Sequence, residues 1–550
     1  LLSALAGQVG DSPADLSRLA DVNGLTYRDG DRLVTTPDRE RIADLDTIPS
    51  PFLTGLFDSF AAGPSTAALL ESNRGCPYGC TFCDWGSATL SRIRKFDMDR
   101  VMAEIEWCAK REFKIISLCD ANFGIFERDV EIAEKFAEMK RLYGFPHVVG
   151  NNYAKNTVKH LKKIIKIFAD AGIVAEGIVS LQSMDTQTLQ VIRRKNIKVE
   201  KYTDLAAEFG ANRLPLAADL MMALPGSTTA SFRRDLQACA DRDVRTRIHP
   251  TTMLTNSPMN EPSYREEHGL VAKPSEFVKR SNTFDEADWD YMWDLRRVFL
   301  LCDLYSTLRH VARYVRGETG MEEVAFYDQI MRDAFADPER WPTIAFTFQS
   351  VPDLMAPPCS WSLFIDEVGT YLTSVIGLPD DAATKTVLDV QLAHLPSRER
   401  VFPEVIELPH DYAAWHRARS AEYAAGNVSG WRERVPPLRS FGPGTMTIDD
   451  PEGICRTAIG GDVTLFGVRS SAWDLDSPVC RPRTILRQPD EAAEGPDATN
   501  GNGSTSTVEP GHAQVAGDIG TPVDFGGVAV ADPASLEQST TPQWVRQSSD

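Results

Sequence analysis

ESNRGCPYGCTFCDWGS, Glu71 to Ser87, holds three of the chain's ten cysteines in the spacing Cys76-x3-Cys80-x2-Cys83. Three thiolates on one tight loop can converge on a single metal centre. Against a four-iron cubane, three cysteines leave one iron open, and an open position is how a metal site takes up a substrate. Gly75 and Gly79 suit the unusual backbone angles of such a loop, and Pro77 stiffens it. Zinc is an alternative, but it needs a fourth ligand from elsewhere, and no nearby His completes a zinc spacing. A disulfide plus one spare thiol is a further alternative.

Immediately before the cysteines comes a short apolar run, Ala68–Ser72, which reads as a strand. From there to Leu254, apolar runs alternate with segments of helical period. The strand candidates are Ala68–Ser72, Ile115–Cys119, His147–Gly150, Val174–Leu181, Leu216–Met222 and Thr246–Leu254. Between them lie helix candidates Met98–Lys110, Arg128–Tyr143, Thr157–Ala171, Asp185–Arg193 and Thr229–Asp241. Repeated strand–helix order argues for an α/β fold with a parallel sheet, open or closed into a barrel. Ligands in such folds meet the loops after the carboxyl ends of the strands. The cysteine loop occupies one of these positions.

Composition narrows the function. The chain has 550 residues, 42% hydrophobic and 25% charged, as folded globular proteins do. Its net charge is −20, which disfavours binding to nucleic acid or an anionic membrane, since both need basic patches. No uncharged apolar run approaches the roughly 18 residues of a membrane helix. The seven other cysteines are scattered, so a disulfide framework is not expected. A reducing, cytoplasmic setting is.

Flanking segments differ in character. Residues 1–67 read as a short helical piece, a hairpin over Gly24–Pro37 around Asp29-Gly30, and a Pro-punctuated connector, Asp44–Phe57. Residue 1 is Leu, which leads us to expect a fragment whose start lies upstream. A long helix is expected over Asp285–Arg316, with Trp289, Met292, Trp293 and Phe299 as a core stripe. Another lies near Asp366–Ile376. Residues 317–485 give no fold by pattern alone. From about Arg487 the chain turns to Gly, Pro, Ser, Thr, Asp and Glu, and disorder is expected. The expected divisions are therefore 1–67, a barrel over 68–270, a helical or mixed region over 271–485, and a tail over 486–550.

The cysteine spacing, with Phe82 before the last cysteine, resembles the signature of the radical S-adenosylmethionine superfamily, in register over about Ala68–Leu254. That resemblance implies a partial (β/α)6 barrel. It implies a [4Fe–4S] cluster on Cys76, Cys80 and Cys83, and S-adenosylmethionine bound through its amino and carboxylate groups. It also implies a 5′-deoxyadenosyl radical that removes hydrogen from an unactivated carbon. Other positions follow from the same likeness. Phe82, Ser180 and Gln182 are candidates to bind the cofactor. Arg194 resembles the Arg that pairs with its carboxylate, and Leu224-Pro225-Gly226 the turn whose backbone meets adenine. Asn122 and Asp120 stand where the family contacts the cofactor amine, although its usual Gly-Glu pair is absent. Ala223 replaces the usual Gly before Leu-Pro-Gly. Asn151 and Asn152, at the end of the third strand, are further candidates to face the pocket.

The hairpin, the connector and CDWGS (Cys83–Ser87) resemble the cobalamin-binding branch. This implies a cobalamin domain, mostly upstream, with residues 1–67 as its remnant or linker. It also implies methyl transfer to an unactivated carbon or phosphorus of a small molecule or natural product. A small-molecule substrate and a reductase, flavodoxin or ferredoxin as electron donor would be the partners, with no nucleic acid or membrane. Two other readings stand beside it. One is a cobalamin-independent radical oxidation or rearrangement, with substrate carried by 317–485. The other is a non-catalytic iron–sulfur protein.

Overall fold

A computed structural model describes residues 19–59, 67–87, 93–154, 159–448 and 484–487, apart from 176, 213, 215, 305, 355–360, 396–400, 402 and 428–429. The expected N-terminal helical piece and most of the tail lie outside the described residues. The hairpin forms as read, Thr26–Asp29 against Arg32–Thr35, with Gly30 at φ +59° in the turn.

Six parallel strands follow, each an apolar run whose alternate side chains face opposite ways. They are β1 (Ala67–Leu70), β2 (Ile115–Phe123), β3 (Val148–Tyr153), β4 (Gly177–Gln182), β5 (Leu216–Met222) and β6 (Arg245–Pro250). β2 pairs with β1 and β3, and β5 pairs with β4 and β6, all in parallel. The two triplets meet through a parallel bridge between Val148 and Val174. Six parallel strands in sequential order make the partial barrel that the resemblance implied.

Covering helices are α1 (Met98–Lys110), α2 (Arg128–Tyr143), α3 (Leu161–Asp170), α4 (Thr186–Val191), α5 (Val199–Ala211) and α6 (Thr229–Ala240). Local chemistry sets their starts. Asp97 caps α1, Asp185 caps α4 through Thr188 N at 2.9 Å, and Thr228 caps α6 in a reciprocal box with Ser231. Their apolar faces close on the strands: Ile105, Phe136, Phe168 and Leu236 are all buried. α5 was not among the helix candidates, although Tyr202, Leu205, Ala206 and Phe209 repeat at helical spacing and are buried.

The long helix expected over Asp285–Arg316 is two. α7 (Glu286–Phe299) runs into a wide π turn, Leu300–Leu304, and α8 (Arg309–Thr319) begins afresh. The break has a local cause. Ser306 sits at φ +56°, and Thr307 turns its hydroxyl back onto the Leu301 carbonyl at 2.9 Å, a bond that competes with the helix ladder. Trp289 and Trp293 stack at 5.1 Å beside Phe277, as core. Beyond α8 come α9 (Glu323–Ala336), α10 (Pro342–Leu354), α11 (Trp361–Tyr371), α12 (Ala382–Ala393) and α13 (Tyr412–Ala424).

These later helices grip the turn between α6 and β6. Asp243 meets Arg313, Arg309 at 2.9 Å and Arg419 at 3.2 Å, and all three arginines are buried. Beside it, Arg316 joins Asp241 at 2.6 Å and Glu323 at 2.7 Å, and Gln237 bonds Glu323 at 2.8 Å. This charge cluster lies at the amino-terminal end of β6, the end of the barrel opposite the cysteine loop. No helix of the described residues is long and apolar enough to cross a membrane.

Candidate active site

Parallel strands bring the loop after β1 and the carboxyl ends of β2, β4 and β5 to one end of the barrel. The cysteine loop is held there from below. Asp120, inside β2, accepts from Ser72 N at 2.8 Å, Asn73 N at 3.2 Å and Asn73 Nδ2 at 2.7 Å, and from the Ser72 hydroxyl. Burial pushes its carboxyl up to about 6. Asp120 therefore orients the strand–loop junction, and all of these bonds go to protein. The resemblance puts this position beside a cofactor amine; in the structure it lies inside β2.

The far side of the loop is also fixed. Thr81 N donates to Ile192 O at 3.1 Å and Met259 N donates to Thr81 O at 2.9 Å. Tyr264 joins Thr81 and the Val191 carbonyl at 3.0 Å each. Phe82 is buried in the core, Cys76 and Cys80 are buried, and Cys83 is half-buried.

Two of the candidate residues converge on the sulfurs. Asn122, at the end of β2, donates Nδ2–H to Cys76 Sγ at 3.4 Å. Arg194, in the loop after α4, points one guanidinium nitrogen at Cys80 Sγ, also at 3.4 Å. Its Nε donates to Asn196 Oδ1 at 2.7 Å, and its third nitrogen donates to the Ser180 carbonyl. Asn196 in turn grips Leu181 O and Ser183 O at 2.7 Å each. Arg194 is thus buried and aimed, not a solvated surface charge. Asn196 had no sequence signal beyond its place in "RRKNI".

Ser180 and Gln182 do not cap α4, because Asp185 does. Ser180 Oγ bonds Asp219 Oδ2 at 3.1 Å. Gln182 lies at a register shift with φ +66°. After β5, Ala223 adopts φ +60°, which explains the likeness's preference for Gly at that place. Leu224, Pro225 and Gly226 are buried, and Ser227 closes the turn onto Leu224 O at 3.0 Å. Gly226 has φ +88°, and an added Cβ would stand 2.9 Å from Val191 Cγ2 and 3.4 Å from backbone at Thr188. Gly226→Ala should lower stability by about 1–2 kcal/mol through the left-handed backbone alone, with crowding added. Denaturant unfolding checks this; an unchanged midpoint would contradict it.

The donor set can be tested for fit to a cluster. Among the described residues, no three His, Cys, Asp or Glu side chains close on one metal ion. A zinc centre needs its ligands all about 2.0–2.3 Å from a single ion. A cubane instead takes one thiolate per iron, and N–H donors to its sulfurs are a usual second layer. Asn122 and Arg194 supply two such donors. Asn122 Oδ1, at the end of β2, and both polar side-chain atoms of Asn151, inside β3, are buried without a hydrogen-bond partner. Orphaned polar atoms at a strand end suit a polar ligand. Asn152 is exposed.

Residues 70–239 match the family model of the radical SAM superfamily. Over 275 residues the chain is 38% identical to the cobalamin-dependent radical SAM methyltransferase TokK of Streptomyces tokunonensis, covering 48% of this chain and 40% of that protein. Over 358 residues it is 32% identical to the 2-(S-pantetheinyl)-carbapenam-3-carboxylate methyltransferase of Streptantibioticus cattleyicolor, covering 59% and 52%. The matches span about half the length of these relatives, or less. Among solved structures, cobalamin-bound OxsB, a cobalamin-dependent S-adenosylmethionine radical enzyme, aligns at 14% identity and TM-score 0.39, covering 68% of this chain and 59% of that one. The stretch that matches the radical SAM family model, residues 70–239, takes in the cysteine loop, β2 to β5, Arg194 and the Leu224–Gly226 turn.

Proposed function

We propose that this chain is the radical-forming part of a cobalamin-dependent methyltransferase that acts on an unactivated carbon of a natural-product small molecule. The observation that carries the first half is the pair of N–H donors, from Asn122 and Arg194, aimed at Cys76 and Cys80. The second half rests on the two named relatives, both methyltransferases and one named for a carbapenam carboxylate.

Cys76, Cys80 and Cys83 would hold a [4Fe–4S] cluster, and S-adenosylmethionine would lie over the ends of β2, β4 and β5. When bound, the two together supply one-electron cleavage and hydrogen-atom removal from an unactivated C–H bond. The residues of this chain do the holding and aiming. Asp120 fixes the loop's entry and Thr81 its middle. Arg194 places a permanent positive charge beside Cys80. The same guanidinium offers a fork for a carboxylate. Ser180 and Gln182 offer polar groups at the end of β4, and the Leu224–Gly226 turn offers backbone groups and an apolar wall. Cobalamin would be the methyl carrier, and a flavodoxin, ferredoxin or reductase the electron donor.

Arg194→Ala should weaken S-adenosylmethionine binding by about 1.5–3 kcal/mol, the usual range for a lost charge-assisted contact. Calorimetry on the iron-loaded protein tests this, and unchanged affinity would remove Arg194 from the site. The reaction itself is tested by anaerobic incubation with reductant, S-adenosylmethionine, methylcobalamin and a carbapenam carboxylate. A product heavier by one CH₂ supports the reading. Dehydrogenated or rearranged product without methylation would put the cobalamin-independent reading in its place.

A further inference from the structure

The barrel's inner wall carries a polar row of which only Ser180 is used at the cysteine end. Ser180, Asp219 and Arg247 stand opposite one another in register on β4, β5 and β6. Their chain neighbours Val179, Leu220 and Ile248 are buried under the covering helices. Strand alternation therefore turns the row to the inner face. His249, two residues on from Arg247, shares that face.

Asp219 is the anchor of the row. One carboxylate oxygen accepts from Ser180 Oγ at 3.1 Å. The other takes Arg247 Nε at 2.8 Å and lies 2.8 Å from a terminal nitrogen of the same guanidinium. It also lies 3.7 Å from His249 Nε2. Burial pushes the Asp219 carboxyl up, but Arg247 and His249 outweigh it and hold the group below the usual carboxylate range. Asp219 thus stays ionised and holds the Arg247 guanidinium in place, with the His249 imidazole beside it. Those side chains keep 28% and 42% of their surface exposed.

The opposite wall has a different character. Leu69, Ser117 and Gly150 stand in register on β1, β2 and β3. Ala68 and Leu70 are buried, while Leu69 between them is 62% exposed on the inner face. The lumen therefore sets a small, partly apolar wall against a guanidinium that is fixed in orientation.

We propose that Arg247 and His249, held by Asp219, form an anion subsite inside the barrel that receives a carboxylate of the small-molecule substrate. A planar guanidinium whose one edge is pinned by Asp219 is pre-oriented to meet a carboxylate, so little side-chain entropy is lost on binding. The apolar body of the substrate lies towards Leu69 and Gly150. This rests on the radical S-adenosylmethionine reading of the cysteine end. Because S-adenosylmethionine also carries a carboxylate, the test must separate the two sources.

The test uses the full chain, reconstituted anaerobically and titrated by calorimetry with N-acetylproline and with its amide. The native protein should prefer the acid by at least about tenfold, the lower end for charge-assisted contacts. Arg247→Ala should abolish that preference and Arg247→Lys should keep part of it. His249→Gln leaves the Asp219–Arg247 pair intact, so it guards against misfolding, and it should lower acid affinity severalfold. In a parallel arm, the preference for S-adenosylmethionine over its decarboxylated form should survive Arg247→Lys and His249→Gln. Equal binding of acid and amide by the native protein overturns the proposal. So does an unchanged preference in Arg247→Ala, or loss of the cofactor's carboxylate preference in its place. Iron content of the same samples tests the cysteine reading separately. A protein without iron that still prefers the acid would keep the subsite and remove that reading.

Discussion

Replacing Cys76, Cys80 and Cys83 together by Ala should remove all cluster iron. The native chain, reconstituted without oxygen, should hold about four irons and give a cubane signal on reduction. The triple variant should give neither. The effect is all-or-none because the spacing makes these three thiolates the ligands of the cluster, one per iron. Folding should survive the change, since the loop is also tied down by bonds that spare the sulfurs, at Ser72, Asn73 and Thr81. Iron retained in full by a folded triple variant would contradict the assignment.

The second large effect is on stability. Asp243→Ala should cost about 3–5 kcal/mol, the range seen when one partner of a buried ion pair is removed. Asp243 holds Arg309, Arg313 and Arg419, which come from two helices far along the chain and are all buried. Without the carboxylate their charges remain in a low-dielectric interior with less compensation. Asp243→Asn keeps an acceptor oxygen and should lose less. Denaturant unfolding of native and variant chains measures the difference. A loss under 1 kcal/mol for Asp243→Ala would mean that the cluster is solvated and does not bind the later helices to the barrel. Iron content should be little changed in any variant that still folds, because the cluster lies at the other end of β6.

How far the sequence could be read follows from how local each signal is. The cysteine loop and the six strands are local: a spacing in one case, short apolar runs in the other. α1 begins at its Asp97 cap and α2 ends at Gly144 in the left-handed region, both where the periodicity puts them. β2 extends four residues beyond the expected Cys119 and carries Asp120 and Asn122 inside the strand, which alters where those side chains point. α5 carries its own pattern in Tyr202, Leu205, Ala206 and Phe209, as local as those of α1 and α2. The split between α7 and α8 depends on two hydroxyl residues, Ser306 and Thr307, competing with the helix, which apolar periodicity does not register.

What could not be read is tertiary. Asp243 and Arg419 are 176 residues apart, and no pattern in either segment pairs them. Nothing in the sequence around Arg194 shows that Cys80, Ser180 and Asn196 close around it. Ser180, Asp219 and Arg247 become one row only when three strands lie in register. The position of Ala223 shows the reverse case. A departure from the expected Gly stood out in the sequence, and its physical content, a positive φ, appeared only with the backbone.

The most direct measurement is the amount of 5′-deoxyadenosine formed when the iron-loaded chain is incubated with S-adenosylmethionine and a low-potential reductant, without oxygen. The account predicts that the native chain forms it. It also predicts that formation depends on reductant, falls steeply in Arg194→Ala at limiting S-adenosylmethionine, and vanishes in the triple cysteine variant. A protein that holds four irons and binds S-adenosylmethionine, yet forms no 5′-deoxyadenosine under these conditions, would contradict the radical chemistry assigned to this barrel.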